Sequence, residues 1–193
     1  LTCIVGLEDK GSVWIGADSC GIGGWDIRER QDPKVFRLID NKKAVLGFTT
    51  SFRMGQLLMY EKGIIPKKNN YKDAHHLMVS GVIPNIRKVF MDGGFTTIES
   101  NVESGGSFLL GYEGELWTIY NDFQVGRNIC GYEAMGSGAE YAIGSLHSTE
   151  AIHLRPRLRV LAALRAAAKF NAAVSAPFTI MNTMTGKKYM YKE

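Results

Sequence analysis

The order in which two hydrophobic periods alternate along this chain constrains its fold more than any other feature. Residues 2–7 and 12–18 are short runs rich in β-branched side chains, separated by the turn Glu8-Asp9-Lys10-Gly11. Residues 34–39 and 43–49 read as a second strand pair, with Asp40-Asn41 supplying turn chemistry, and Gly21-Ile22-Gly23-Gly24 reads as a flexible loop. The period then changes. Residues 52–61 place Phe52, Gln56 or Leu57, and Tyr60 at helical steps. A second helical stretch starts near Asp73, a good N-cap residue, and carries Met78, Val82, Ile86, Val89 and Phe90 on one stripe. Pro84 is expected to kink or divide it. Strands return at 107–112, 115–120 and 124–127. Helices follow from Gly136-Ser137-Gly138 to about Leu146 and over about 154–170, then strands at 178–182 and 188–191.

Strands, two helices, strands, two helices, strands: the pattern alone gives a mixed α and β chain in a single domain over 1–193, without linker, repeat or low-complexity tract. Two helical layers enclosing two sheets would bury both apolar helix stripes.

Composition narrows the function. A length of 193 residues and 45% apolar content suffice for one domain with a substantial core. The net charge of +4 is mild and its basic residues are scattered, which argues against nucleic acid. No apolar run approaches the roughly 20 residues that span a bilayer, and no basic stretch precedes an apolar one as in a secretory signal. Cys3, Cys20 and Cys130 are odd in number and lack metal-ligand spacing, so a reducing cytoplasm and apolar packing roles are expected.

Three polar residues sit in these strands in patterns of their own. Thr2 opens the run Thr2-Cys3-Ile4-Val5-Gly6-Leu7, Asp18 closes Val13-Trp14-Ile15-Gly16-Ala17-Asp18, and Lys34 begins Lys34-Val35-Phe36. A threonine at a chain terminus carries a base in its own residue. Its α-amine has an ordinary pKa of about 7.7–8.0 and is partly neutral at physiological pH. Such a residue can be nucleophile and base at once. Taken singly, each residue also has a plainer reading. Thr2 is then just a terminal residue, and Asp18–Lys34 a surface salt bridge worth less than about 1 kcal/mol. Gly47 becomes a strand-end turn and Ser137 a helix N-cap.

Together, Thr2, Asp18 and Lys34 resemble the proteasome β-type subunits, and among these the bacterial HslV-type peptidase, with matching spacing. The resemblance continues in Val45-Leu46-Gly47-Phe48 and in Gly136-Ser137-Gly138-Ala139-Glu140-Tyr141-Ala142 and covers most of the chain, more weakly in the last third. It implies an α+β fold, the four-layer αββα sandwich of N-terminal-nucleophile hydrolases. It also implies a threonine endopeptidase that degrades unfolded polypeptide inside homo-oligomeric stacked rings. No nucleotide-binding motif is visible, so any ATP dependence would come from a partner AAA+ unfoldase. Neither a cofactor nor a metal is expected, nor a nucleic-acid or membrane partner, and the implied location is cytoplasmic.

The roles carried over are specific. Thr2 is the nucleophile, Lys34 a fixed charge that favours the alkoxide, and Asp18 the carboxylate that aims Lys34. Gly47 is the expected oxyanion-hole donor, a role worth about 3 kcal/mol at a transition state. Ser137 serves the α-amine. Val45 and Thr49 flank the pocket for the side chain preceding the scissile bond.

Two departures from the pattern stand out. Where many proteasome β subunits have Arg-Asp near the end of the last long helix, this chain reads Lys169-Phe170-Asn171, a neutral amide in place of a carboxylate. Leu1 precedes Thr2 and makes its nitrogen an amide, which is not a base; Thr2 is the expected mature N-terminus, and the chain is expected to be inert while Leu1 is attached. An amidase acting on a small amide and a catalytically silent ring subunit are the competing readings. His75-His76, His147 and His153 lack metal-ligand spacing.

Overall fold

Lys10 and Gly11 both adopt positive φ, 45° and 75°, the conformation that joins two antiparallel strands through a two-residue turn. The hairpin they close is the first among the described elements. The computed structural model describes residues 2–23 and 26–192. In chain order its strands and helices are β1 (Ile4–Asp9), β2 (Ser12–Ala17), β3 (Cys20–Gly23), β4 (Asp26–Glu29), β5 (Val35–Arg37), β6 (Ala44–Phe48), α1 (Phe52–Tyr60), α2 (Ala74–Leu77), α3 (Ile83–Asp92), β7 (Thr97–Glu99), β8 (Val102–Ser104), β9 (Phe108–Tyr112), β10 (Glu115–Ile119), β11 (Val125–Gly126), β12 (Tyr132–Met135), α4 (Ala139–Ser148), α5 (Pro156–Phe170), β13 (Phe178–Asn182) and β14 (Lys188–Tyr191).

Two antiparallel sheets carry the architecture. The first runs β12-β1-β2-β13-β14 and the second β11-β10-β9-β6-β5. Alternation along β6 shows how they stack. Ala44, Leu46 and Phe48 pack with Met54, Leu58, Leu77, Ile86 and Phe90 of the helices, whereas Val45 packs with Ile4 and Ile15 of the first sheet. On the other side, Cys3, Val5 and Leu7 pack with Ala142, Leu146, Val160 and Leu164 of α4 and α5. The layers are therefore helices, sheet, sheet, helices. Because these strands are covered on both faces, β6, β9 and β13 are buried at every position, and β6 and β9 read as continuous apolar runs. A fully buried side chain such as Phe90 stabilises this arrangement by roughly 2–3 kcal/mol.

The helix from Asp73 begins where the sequence places it, with the Asp73 carboxylate accepting the His76 N–H at 2.7 Å. Pro84 has no N–H to continue the ladder. The chain answers with a wide turn over Met78–Val82, in which the Ile83 N–H reaches back to the Met78 carbonyl.

Some expectations are corrected. The segment expected as a loop at 21–24 contributes β3, paired with β4 through Cys20–Glu29 and Ile22–Ile27; Gly24 lies outside the described residues. The first strand starts at Ile4, so Thr2 stands just ahead of it. Of the cysteines, Cys3 and Cys20 are buried, but Cys130 is exposed. Among the described residues, no helix is long and apolar enough to cross a membrane.

Candidate active site

Strand register brings distant residues to Thr2. β1 pairs with β12 so that Ile4 faces Met135 and Val5 faces Ala134. The same step continued past the strand ends sets Thr2 opposite Ser137. The Thr2 N–H donates to Ser137 Oγ at 3.2 Å, and the Ser137 hydroxyl donates to the Thr2 carbonyl at 3.3 Å. The Gly138 N–H reaches that carbonyl too, at 3.3 Å. Ser137 therefore does not cap α4. The N-cap position is Gly138, with no side-chain cap.

The neighbouring pair places Asp18. β1 and β2 align Ile4 with Ala17, so Cys3 falls opposite Asp18. The Asp18 N–H donates to the Cys3 carbonyl at 3.3 Å, and Asp18 Oδ1 accepts the Cys3 N–H at 2.9 Å. Oδ2 accepts the Cys20 N–H, also at 2.9 Å.

Lys34 arrives from the other sheet, immediately before β5, where its carbonyl accepts the Phe48 N–H at 3.0 Å. Its Nζ is 3.0 Å from both Asp18 oxygens and donates to Thr2 Oγ. Thr2, Asp18 and Lys34 are 3%, 1% and 2% exposed, which rules out the surface-salt-bridge reading. Burial lowers the Lys34 ammonium below the usual lysine range, while Asp18 pulls the other way. Burial, reinforced by Asp18, pushes the Cys3 thiol up to about 12, so it stays protonated and is no competing nucleophile.

A cavity of about 60 Å³ opens beside this cluster, lined by Thr2, Lys34, Ile22, Thr49, Thr50 and Phe52 among others. Thr49 lines this cavity; two other residues expected at the site do not. Val45 is fully buried between the sheets, and a β-carbon on Gly47 would meet Ile15 and Val35 rather than the cavity. Both alternate with Ala44, Leu46 and Phe48 and face the opposite sheet. The Thr49 N–H bonds the Ser107 carbonyl across β6 and β9, so the same register two residues back turns the Gly47 N–H toward Leu109 and into the ladder, not toward the cavity.

Sequence reasoning missed Thr50. Its φ is +69°, unusual for a β-branched residue, and it lines the cavity. The Thr49 N–H bonds Ser107 and the Ser51 N–H bonds Thr49; among the described residues, the Thr50 N–H has no partner. Backbone strain of this kind costs on the order of 1–3 kcal/mol and clusters at functional sites. Asn171 also joins the assembly: its Nδ2 donates to the Ser137 carbonyl at 2.6 Å. Leu1 lies outside the described residues.

No protein-family model and no curated protein matches the chain. Solved structures do. The chain is similar to BPH from Thiobacillus denitrificans, at 16% identity over 93% of this chain and 96% of that one, with a TM-score of 0.74. HslV from Trypanosoma brucei matches at 15% identity over 93% and 98%, TM-score 0.66. Anbu, an ancestral beta-subunit from Yersinia bercovieri, matches at 15% identity over 99% and 87%, TM-score 0.68. At such identities the likeness is one of fold: the layered α+β sandwich is shared with these proteins over nearly the whole chain.

Proposed function

We propose that this chain is a threonine-type endopeptidase subunit whose nucleophile is Thr2 Oγ. One observation carries the reading: a buried Lys34, held by Asp18, donates to the Thr2 hydroxyl, while Ser137 Oγ stands at the Thr2 nitrogen. A hydroxyl with an ammonium at its oxygen and a polar relay at its own nitrogen is arranged for proton removal.

In the proposed reaction, water first hydrolyses the Leu1–Thr2 peptide bond; Leu1 leaves as the carboxylic acid and Thr2 keeps a free α-amine. That amine takes the Oγ proton as Oγ attacks the scissile carbonyl. The tetrahedral oxyanion collapses, the C–N bond breaks, and the leaving amine takes the proton from the α-ammonium. Water then attacks the Thr2 ester, the same α-amine accepting and returning its proton, which releases the acid and restores the hydroxyl. The Thr50 N–H is our candidate oxyanion donor in place of Gly47. Thr49 and Phe52 shape the cavity for the substrate side chain. While Leu1 is attached, the Thr2 nitrogen is an amide and the cycle cannot start.

The proteasome-like fold favours assembly into stacked rings that act on unfolded polypeptide, with an AAA+ unfoldase as the ATP-using partner. A second reading gives the base role to Lys34, whose Nζ lies at Thr2 Oγ and whose pKa is lowered by burial. The test of the proposal is Thr2→Ala, assayed for hydrolysis of peptides and unfolded protein. Hydrolysis disappears and assembly persists if Thr2 is the nucleophile; undiminished hydrolysis ends the reading.

A further inference from the structure

We infer that Asn171 is a positioning residue whose amide must donate to the Ser137 carbonyl to hold the Ser137 hydroxyl on the Thr2 nitrogen. The inference rests on the proposed catalytic role of Thr2. α5 ends at Phe170, and Asn171 follows in extended conformation, its own N–H still bound to the Ala167 carbonyl at 2.9 Å. Its side chain makes two bonds of opposite kind. Oδ1 accepts the Ala173 N–H at 2.9 Å, and Nδ2 donates to the Ser137 carbonyl at 2.6 Å. A backbone N–H can only donate and a carbonyl can only accept, so these partners fix which end of the amide faces which way.

Ser137 needs this support. It lies between Gly136 and Gly138, which have no side chains to anchor the turn, and Gly136 is held at φ +99°. A tilt of the Ser137 peptide carries its Oγ away from the Thr2 nitrogen, 3.2 Å distant. Asn171 thus links the end of α5 to the nucleophile through the turn before α4.

Two substitutions separate donation from mere capping. Asn171→Asp keeps the shape and the acceptor for Ala173, but sets a carboxylate oxygen against the Ser137 carbonyl. Asn171→Ala removes both bonds and leaves room for water at this half-buried site. If donation matters, aspartate is worse than alanine; if only the Ala173 cap matters, aspartate is better.

The experiment compares unmodified protein, N171A and N171D, each beginning at Thr2, at mildly alkaline pH well above the ordinary aspartate range. Peptide hydrolysis is resolved into kcat and KM, and unfolding midpoints are measured in parallel. N171A is expected to lose roughly tenfold in kcat with KM little changed, and N171D a further several-fold. Equal or faster turnover by N171D than by N171A overturns the inference, as does a loss confined to KM. If the unmodified protein is itself inert toward peptides, the catalytic reading fails separately, and the unfolding order decides. N171D melting below N171A, or failing to fold where N171A folds, upholds the donated bond; N171D melting at or above N171A overturns it.

Discussion

Lys34 Nζ lies 3.0 Å from both carboxylate oxygens of Asp18, and the two residues come from different sheets. Asp18 follows β2 in the first sheet and Lys34 precedes β5 in the second. The pair therefore ties the sheets together at the end of the sandwich where Thr2 stands. It is buried, so its attraction is set against a large desolvation cost, and removing one partner is worse than never having had the pair.

Asp18→Asn leaves the Lys34 ammonium buried without its counter-charge. It also turns an amide N–H toward one of the backbone donors, Cys3 or Cys20, that Asp18 now satisfies. Denaturant unfolding should show a loss of about 3 kcal/mol or more, with hydrolysis reduced as well. A variant as stable as the unmodified chain would mean that the pair contributes nothing to holding the site.

The lowered pKa of Lys34 has a sign that can be read in two ways. Between its folded value and the ordinary 10.5, the unfolded chain holds a proton that the folded chain has released. Stability from this group therefore rises with pH across that window, and Lys34→Met should flatten the slope of unfolding free energy against pH there. Turnover should follow a bell. It rises as the α-amine of Thr2 deprotonates, then falls as Lys34 loses its charge somewhere below 10.5. An alkaline limb that rises instead would assign the base to Lys34.

Much of this site is legible in the sequence because its parts lie at the ends of short strands. Thr2, Asp18 and Lys34 each stand beside an apolar run whose register the hydrophobic pattern sets. The strand β12, Tyr132–Met135, is not legible: Glu133 interrupts it and glycines flank it, yet it carries Ser137 to Thr2. Val45 and Gly47 show a different limit. β6 is buried on both faces, so no polar alternation reveals which residues turn toward the other sheet. Thr50 escaped because a positive φ is sought at glycine, and a threonine gives no such signal.

Gly136 should tolerate no side chain. Its φ is +99°, and a β-carbon there would fall closer than 3.0 Å to the Thr2 carbonyl oxygen and carbon. Gly136→Ala must displace Thr2 or the Ser137 turn. We expect it to lower the unfolding midpoint and to remove most hydrolysis, by roughly a hundredfold if the nucleophile shifts by about 1 Å. Unchanged turnover in a folded variant would show that the Thr2 main chain has freedom that the described geometry denies it.

Thiol chemistry should leave the site untouched. Cys3 is buried with its thiol held at about 12, whereas Cys130 is exposed. Alkylation of the native protein at neutral pH is expected to modify Cys130 and spare Cys3, with hydrolysis retained. Peptide mapping gives the answer, and rapid alkylation of Cys3 would contradict the burial described for it.

The central claim is that Thr2, acting through its own free amine, is the nucleophile. Two matched preparations, one beginning at Thr2 and one with Leu1 still attached, are treated with an electrophile that captures a threonine hydroxyl together with its free α-amine, and read by intact mass and peptide mapping. The account predicts a single adduct, on Thr2, in the first preparation and none in the second. Equal modification of both, or an adduct on any other residue, would contradict it.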